Sequence, residues 1–216
     1  TQRPERLKLM SYNIRNGIGI DNIQDIGRIA RVILREAPDL VALQELDSAT
    51  LRVDGRYIPG ELGRMTGMHA TFGRAIGFAG GSYGVGLLSR TEPLAVRSIP
   101  LPGREEARVL LMAEFPDYTV CVTHLSLTPE DRHASLPLIL QATDTCRKPV
   151  LLAGDFNTGD AAAVLAGLGG GFRILSDTTR MTFPSDNPAV RIDYILGRGL
   201  PTSATVTESA VDHTAT

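Results

Sequence analysis

Several short apolar runs in this chain end in residues that a hydrophobic core does not accept. MSYN stops at Asn13, LVALQE at Glu45, VCVTH at His124, and VLLAGDFN at Asp155 and Asn157. RID carries Asp193, and VDH near the end carries Asp212 and His213. Short aliphatic and β-branched runs bounded by turn signals read as buried strands. The chain must therefore build sheets whose strands deliver polar groups to their ends, where rigid scaffolds hold functional groups.

The segments between these runs set the fold class. LKLMSYNI (7–14) alternates apolar and polar residues and is predicted as a strand. From Asp21 the positions Ile23, Ile26, Ile29, Ala30, Ile33 and Leu34 follow helical spacing, with Asp21 or Asn22 as the expected N-cap. Pro38 follows, and DLVALQEL (39–46) is a buried strand, which completes a β-helix-β unit. A helix is predicted in GELGRMTGM (60–68), and a Gly-rich turn into a strand in GGSYGVGLLSR (80–90). RVLLMAEF and YTVCVTHL read as a hairpin around Pro116-Asp117. An amphipathic helix over 129–146 is expected to kink near Pro137. PVLLAGDF is a strand, DAAAVLAGL a short helix capped by Asp160, and RIDYIL a strand. Many strands with about four helices predict an α/β or α+β fold. The 216 residues, without a fixed-period repeat or a long linker, predict one domain over 1–216.

Composition removes several classes of function. The formal net charge is −2 and there is no long basic run, so charge gives a nucleic-acid partner no support. The absence of Trp leaves few stacking platforms for bases. No apolar run approaches the roughly 20 residues of a membrane span. Two cysteines make neither a disulfide framework nor a zinc cluster, and Cys121, inside TVCVTHL, reads as core. The chain begins TQRPERL without Met, which leaves both a cytoplasmic location and export after loss of a leader open.

The polar set itself points to metal chemistry. Glu45, Asp155 and Asp212 are hard carboxylate donors, and Asn13 and Asn157 are neutral amides. This set suits Mg²⁺, with Mn²⁺ or Ca²⁺ as alternatives, and does not suit zinc. Two histidines and Arg108 would then meet phosphate oxygens. Asp155 and Asn157 are two apart and share a face on an extended chain, with Phe156 turned into packing. Gly154 is expected to let the backbone turn tightly after the strand. Taken singly, each residue has a plainer reading. Asp155 could cap a turn, His124 could be a structural histidine, and Tyr83 could be core. The order and combination of the set carry the argument.

That order resembles the endonuclease/exonuclease/phosphatase superfamily of metal-dependent phosphoesterases. The matching pieces are SYNIRNG, PDLVALQELD, SYGVGLLSR, THL, LLAGDFNT, RIDYIL and VDH, and they span almost the whole chain. The resemblance implies a four-layer sandwich of two mixed β-sheets flanked by helices, with the site at one end of the sheets. It implies Glu45 as the main metal ligand, with Asn13 close by and Asp212 at or near the metal. Asp155 and Asn157 would orient the attacking water or contact the phosphate. His213 would be the general base or a phosphate contact, with Asp193 as its orienting partner. His124 and Arg108 match groups that hold phosphate oxygens, and Tyr83 matches an active-site tyrosine of some family nucleases. The chain departs from the pattern at Val211, where a small hydroxyl residue is usual. It stops at HTAT, where the family's pattern continues into a last strand, so either the terminus is trimmed or the sheet lacks that strand.

The implied function is Mg²⁺-dependent hydrolysis of a phosphodiester or phosphomonoester. The short segments between motifs favour a phosphorylated small molecule. A nuclease acting on DNA or RNA, and a non-catalytic binding module on the same fold, are the alternatives.

Overall fold

The protein is described from a computed structural model, which covers residues 6–207 and residue 210. Among the described residues, ten strands form two mixed sheets. The four-stranded sheet has the order β1-β2-β4-β3, built from β1 (Leu9–Asn13), β2 (Leu40–Ser48), β3 (His69–Phe78) and β4 (Gly81–Ser89). The six-stranded sheet has the order β5-β6-β7-β8-β10-β9. Its strands are β5 (Ala95–Leu101), β6 (Arg108–Glu114), β7 (Thr119–His124), β8 (Val150–Asp155), β9 (Arg173–Ile174) and β10 (Asp193–Arg198). The helices are α1 (Ile26–Glu36), α2 (Ile58–Thr66), α3 (Pro129–Thr143) and α4 (Ala161–Leu168).

Three apolar clusters define four layers. Ile26, Ile29 and Ile33 of α1 and Ile58 and Leu62 of α2 pack on Val41, Leu43 and Leu88. Leu136 and Ile139 of α3 and Val164 and Leu168 of α4 pack on Cys121, Leu152 and Tyr194. Between the sheets lie Leu40, Ala42, Val85, Leu87, Val109, Leu111, Val120, Val122 and Ala153. The alternation of these residues along each strand decides which side chains face the partner sheet and which face the helices. The four-layer sandwich expected from the sequence is therefore the observed architecture.

Local differences have physical causes. Asp25 caps α1, accepting from the Arg28 N–H at 3.1 Å. Asp21 instead accepts from Ile23 N and pairs with Arg28, so it closes the preceding turn. The helix α3 runs unbroken through Pro137, whose exposed position leaves its ring in solvent. Two strands carry little apolar signal in the sequence. β3 and β5 lie at sheet edges, and most of β5 is exposed. Pro100 is tolerated there because an edge strand leaves one side unpaired.

Candidate active site

The site grows out of the same alternation that builds the inter-sheet core. On β1, Leu9, Ser11 and Asn13 share the inner face, and on β7, Val120, Val122 and His124 do. Ala153 and Asp155 share it on β8, as do Ile195 and Asp193 on β10. The apolar members fill the core, and the next inner position along each strand is polar. His124 pairs in register with Asp155, and Asp155 with Asp193, so the three stand side by side on one sheet.

Asn13 crosses from the other sheet to this row. Its Nδ2 donates to Glu45 Oε1 at 3.0 Å and to Asp155 Oδ2 at 3.2 Å. Its Oδ1 accepts from Arg15 N at 3.1 Å, which fixes the orientation of the amide. His124 Nε2 lies 3.6 Å from the same Asp155 Oδ2. Asp155 Oδ1 accepts the Asn157 N–H at 2.9 Å, and Asn157 Nδ2 donates to Leu125 O at 2.7 Å. Asn157 thus ties the loops after β7 and β8 together around Asp155. Phe156 turns into the core and meets Tyr194 edge-on at 5.4 Å.

Glu45 is placed by a bulge inside β2, whereas the sequence suggested a strand end. Leu43 pairs with Gly86 and Leu46 with Gly84, so Gln44 and Glu45 together oppose Val85. Glu45 adopts φ +55°, a left-handed conformation that costs about 1–3 kcal/mol for a residue with a Cβ. β3 bulges on the other side of β4, and a Cβ on Gly84 would sit 2.0 Å from Gly73 O. Gly154 also answers to close approach. It lies within β8, and a Cβ there would be 2.0 Å from Thr123 O, so the expected tight turn is not its reason.

Tyr83, Glu106, Arg108 and His124 line a small cleft between the sheets. Arg108 is buried, with Nη2 3.2 Å from Glu105 and Nη1 3.6 Å from Glu106. Its buried Nε has no hydrogen-bond partner among the described residues, so the guanidinium retains donor capacity. Arg52 lies over the Tyr83 ring at 5.0 Å while its Nε and Nη2 bind Asp47 at 2.6 Å. Arg52, Glu105 and Glu106 were not singled out from the sequence. The acidic pair in REEAR, just before the strand RVLL, is the signal that could have found the last two. Asp212 and His213 lie outside the described residues.

The electrostatics are those of a site short of positive charge. Asp155 is only 4% exposed. Among the described residues no Lys or Arg lies within ion-pair range of Asp155 or Asp193. Burial pushes both carboxyls up, and the charge of Asp193 adds to the effect on Asp155. Burial, with Arg108 nearby, pushes His124 down to about 3, which leaves a neutral imidazole near pH 7. Burial and the Glu45 charge raise the Tyr83 hydroxyl, so it stays protonated. Two carboxylates joined by an amide, without sulfur, fit a hard divalent cation. Among the described residues no three of His, Cys, Asp or Glu gather as metal ligands.

A larger cleft of about 200 Å³ lies between the starts of α3 and α4, lined by Arg132, His133, Thr158 and Asp160. It holds none of the carboxylates just described. Thr158 accepts from Asp160 N and Asp160 caps α4, so these groups already have structural partners. The Asn13-centred cluster is therefore the candidate active site.

A four-layer α/β/β/α fold with carboxylates from both sheets meeting at one end defines the class. A family model for the Endonuclease/Exonuclease/phosphatase family matches residues 10–213, and the chain belongs to that family. The family includes phosphoester hydrolases, and its members generally use divalent metals. No curated protein matches the chain. Among solved structures it is similar to an endonuclease/exonuclease/phosphatase from Beutenbergia cavernae, at 24% identity and TM-score 0.71. That alignment covers 89% of this chain and 64% of the other, so this chain spans less than two thirds of that relative. A mannosyl-6-phosphatase from Bacteroides thetaiotaomicron is 17% identical with TM-score 0.69, covering 90% and 86%. The human Nocturnin catalytic domain with bound sulfate is 20% identical with TM-score 0.65, covering 89% and 83%. At these identities the likeness is one of fold. No helix among the described residues is long and apolar enough to cross a membrane.

Proposed function

We propose that this chain, one domain over 1–216, is a Mg²⁺-dependent phosphoester hydrolase acting on a small phosphodiester or phosphomonoester. Mn²⁺ and Ca²⁺ are chemically acceptable substitutes at a carboxylate site. The observation that carries the reading is the Asn13 amide held between Glu45 and Asp155, which joins carboxylates of the two sheets. Glu45 and Asp155, with Asp212, would hold the cation, which when bound would neutralise phosphate charge and acidify water.

The chain's own residues supply the rest. Arg108 offers a buried guanidinium with an unpartnered N–H to a phosphate oxygen. His124, neutral, donates or accepts a hydrogen bond beside Asp155. Asn157 holds the Asp155 carboxylate in place through its backbone N–H. Tyr83 keeps its proton and offers an O–H within the same cleft. His213 is the general base in this reading, with Asp193 orienting it as in other His–carboxylate pairs. Asp155→Asn or His213→Ala is expected to abolish Mg²⁺-dependent hydrolysis of bis-p-nitrophenyl phosphate, with circular dichroism unchanged. Full activity in either folded variant removes the assignment.

A further inference from the structure

We propose that Glu106 is a specificity-determining residue that turns the site toward phosphodiesters and away from phosphomonoester dianions. The inference rests on the phosphoesterase reading above. Glu106 lines the cleft that also holds Tyr83, Arg108 and His124, and its Oε2 lies 3.6 Å from Arg108 Nη1. Its side chain is 30% exposed, so it stands at the boundary between the cleft and solvent.

Arg108 reaches this cleft with its charge already matched. Glu105 contacts its Nη2 at 3.2 Å. Glu105 cannot swing away, because it accepts the Ser126 hydroxyl at 2.7 Å, the Leu127 N–H at 2.7 Å and the Thr128 hydroxyl at 3.1 Å. Burial alone would raise the Glu105 carboxyl, but these bonds outweigh it and hold it at about 2, so it is always charged. The other polar side chains lining the cleft, Tyr83 and His124, add no second guanidinium or ammonium group. Burial raises the Glu106 carboxyl, Arg108 opposes that, and the Glu45 charge adds to it from the opposite sheet. Arg52 is already paired with Asp47, so Glu106 is a second acid facing the one guanidinium that Glu105 already meets.

A phosphodiester brings one negative charge, whereas a monoester carries nearly two above its second pKa of about 6. A bound divalent cation attracts both. The second charge of the monoester must also face Glu106, and like charges in a partly desolvated cleft discriminate strongly.

The test compares the wild type with Glu106→Gln and Glu106→Asp at pH 8 with Mg²⁺. Turnover is read on bis-p-nitrophenyl phosphate and p-nitrophenyl phosphate. Binding of diphenyl phosphate and phenyl phosphate is read by calorimetry, independently of turnover. In Glu106→Gln the diester-to-monoester ratio of kcat/KM is expected to fall about tenfold, through a gain on the monoester. Glu106→Asp, which keeps the charge, retains a ratio within about twofold of the wild type. The binding preference shifts in the same sense. An unchanged ratio in Glu106→Gln, or an equal loss on both substrates, overturns the proposal, since a merely structural role would affect both alike. If the wild type turns over neither ester, the phosphoesterase reading fails and the binding preference alone decides Glu106. A preference unmoved by Glu106→Gln, or no binding of either ligand, then overturns it too.

Discussion

Replacing Asp193 with Asn should make this protein more stable while harming its chemistry. The β8–β10 register sets Asp193 beside Asp155, and directly opposed residues have Cβ atoms about 5 Å apart. Two unit charges about 5 Å apart repel by about 3 kcal/mol at an effective dielectric of about 20. Partial solvation of Asp193 lowers this, so about 1–3 kcal/mol is expected. Asn keeps an acceptor for the Thr182 hydroxyl that Asp193 engages. The sign follows from the direction of the shifts. Both carboxyls are raised in the folded state, so their favourable contribution is present below the ordinary carboxylate range and is lost as pH rises through the raised values. Burial is the larger cause of both shifts and the Asp193 charge adds to that of Asp155, so the combined penalty is present at pH 8 and largely gone at pH 4. Urea unfolding with chelator present should show Asp193→Asn gaining about 1–3 kcal/mol at pH 8 and little at pH 4, with an unchanged slope. Equal stability at pH 8, or a gain that persists at pH 4, refutes the reasoning. A stabilising change at a working site is the usual trade between activity and stability.

Two other perturbations probe the frame. Gly154→Ala drives a methyl toward Thr123 O inside a parallel pair of buried strands, and a loss of about 3 kcal/mol or more is expected. A melting temperature equal to that of the wild type contradicts that close approach. The His124 imidazole, held neutral by burial and Arg108, should show no titration between pH 8 and pH 5 in ring-proton NMR. A midpoint near the ordinary histidine value of about 6.5 contradicts the burial argument.

The sequence revealed those parts of the site that follow strand alternation. His124, Asp155 and Asp193 each extend an apolar inner-face series by one polar position, and Asn13 follows Leu9 and Ser11 on the same face, so a period of two runs through all four. Glu45 was found as a residue but not as a conformation, because a bulge is a relation between strands and leaves no mark on one of them. The edge strands β3 and β5 escaped because an edge needs little apolar surface, and β5 has almost none buried. Gly154 was read as a turn glycine because its neighbour across the sheet, Thr123, is remote in sequence. Glu105 and Glu106 were not singled out, because Ser126 and Thr128, which hold Glu105, are remote in sequence. Only the fold brings them against Arg108, Ser126 and Thr128. The roles of Asp212 and His213 rest on the resemblance.

In the proposed function Glu45 and Asp155, joined across the sheets by Asn13, hold a divalent cation for phosphoester hydrolysis. Its most direct measurement is the Mg²⁺ dependence of bis-p-nitrophenyl phosphate hydrolysis by the wild type and by Glu45→Gln. The wild type should be inactive in chelator and restored by Mg²⁺. Glu45→Gln should lose at least about 100-fold in rate and need more Mg²⁺ for half-maximal activity, with its urea midpoint little changed. Turnover that ignores chelator, or a Glu45→Gln variant with the wild-type rate and metal dependence, would contradict it.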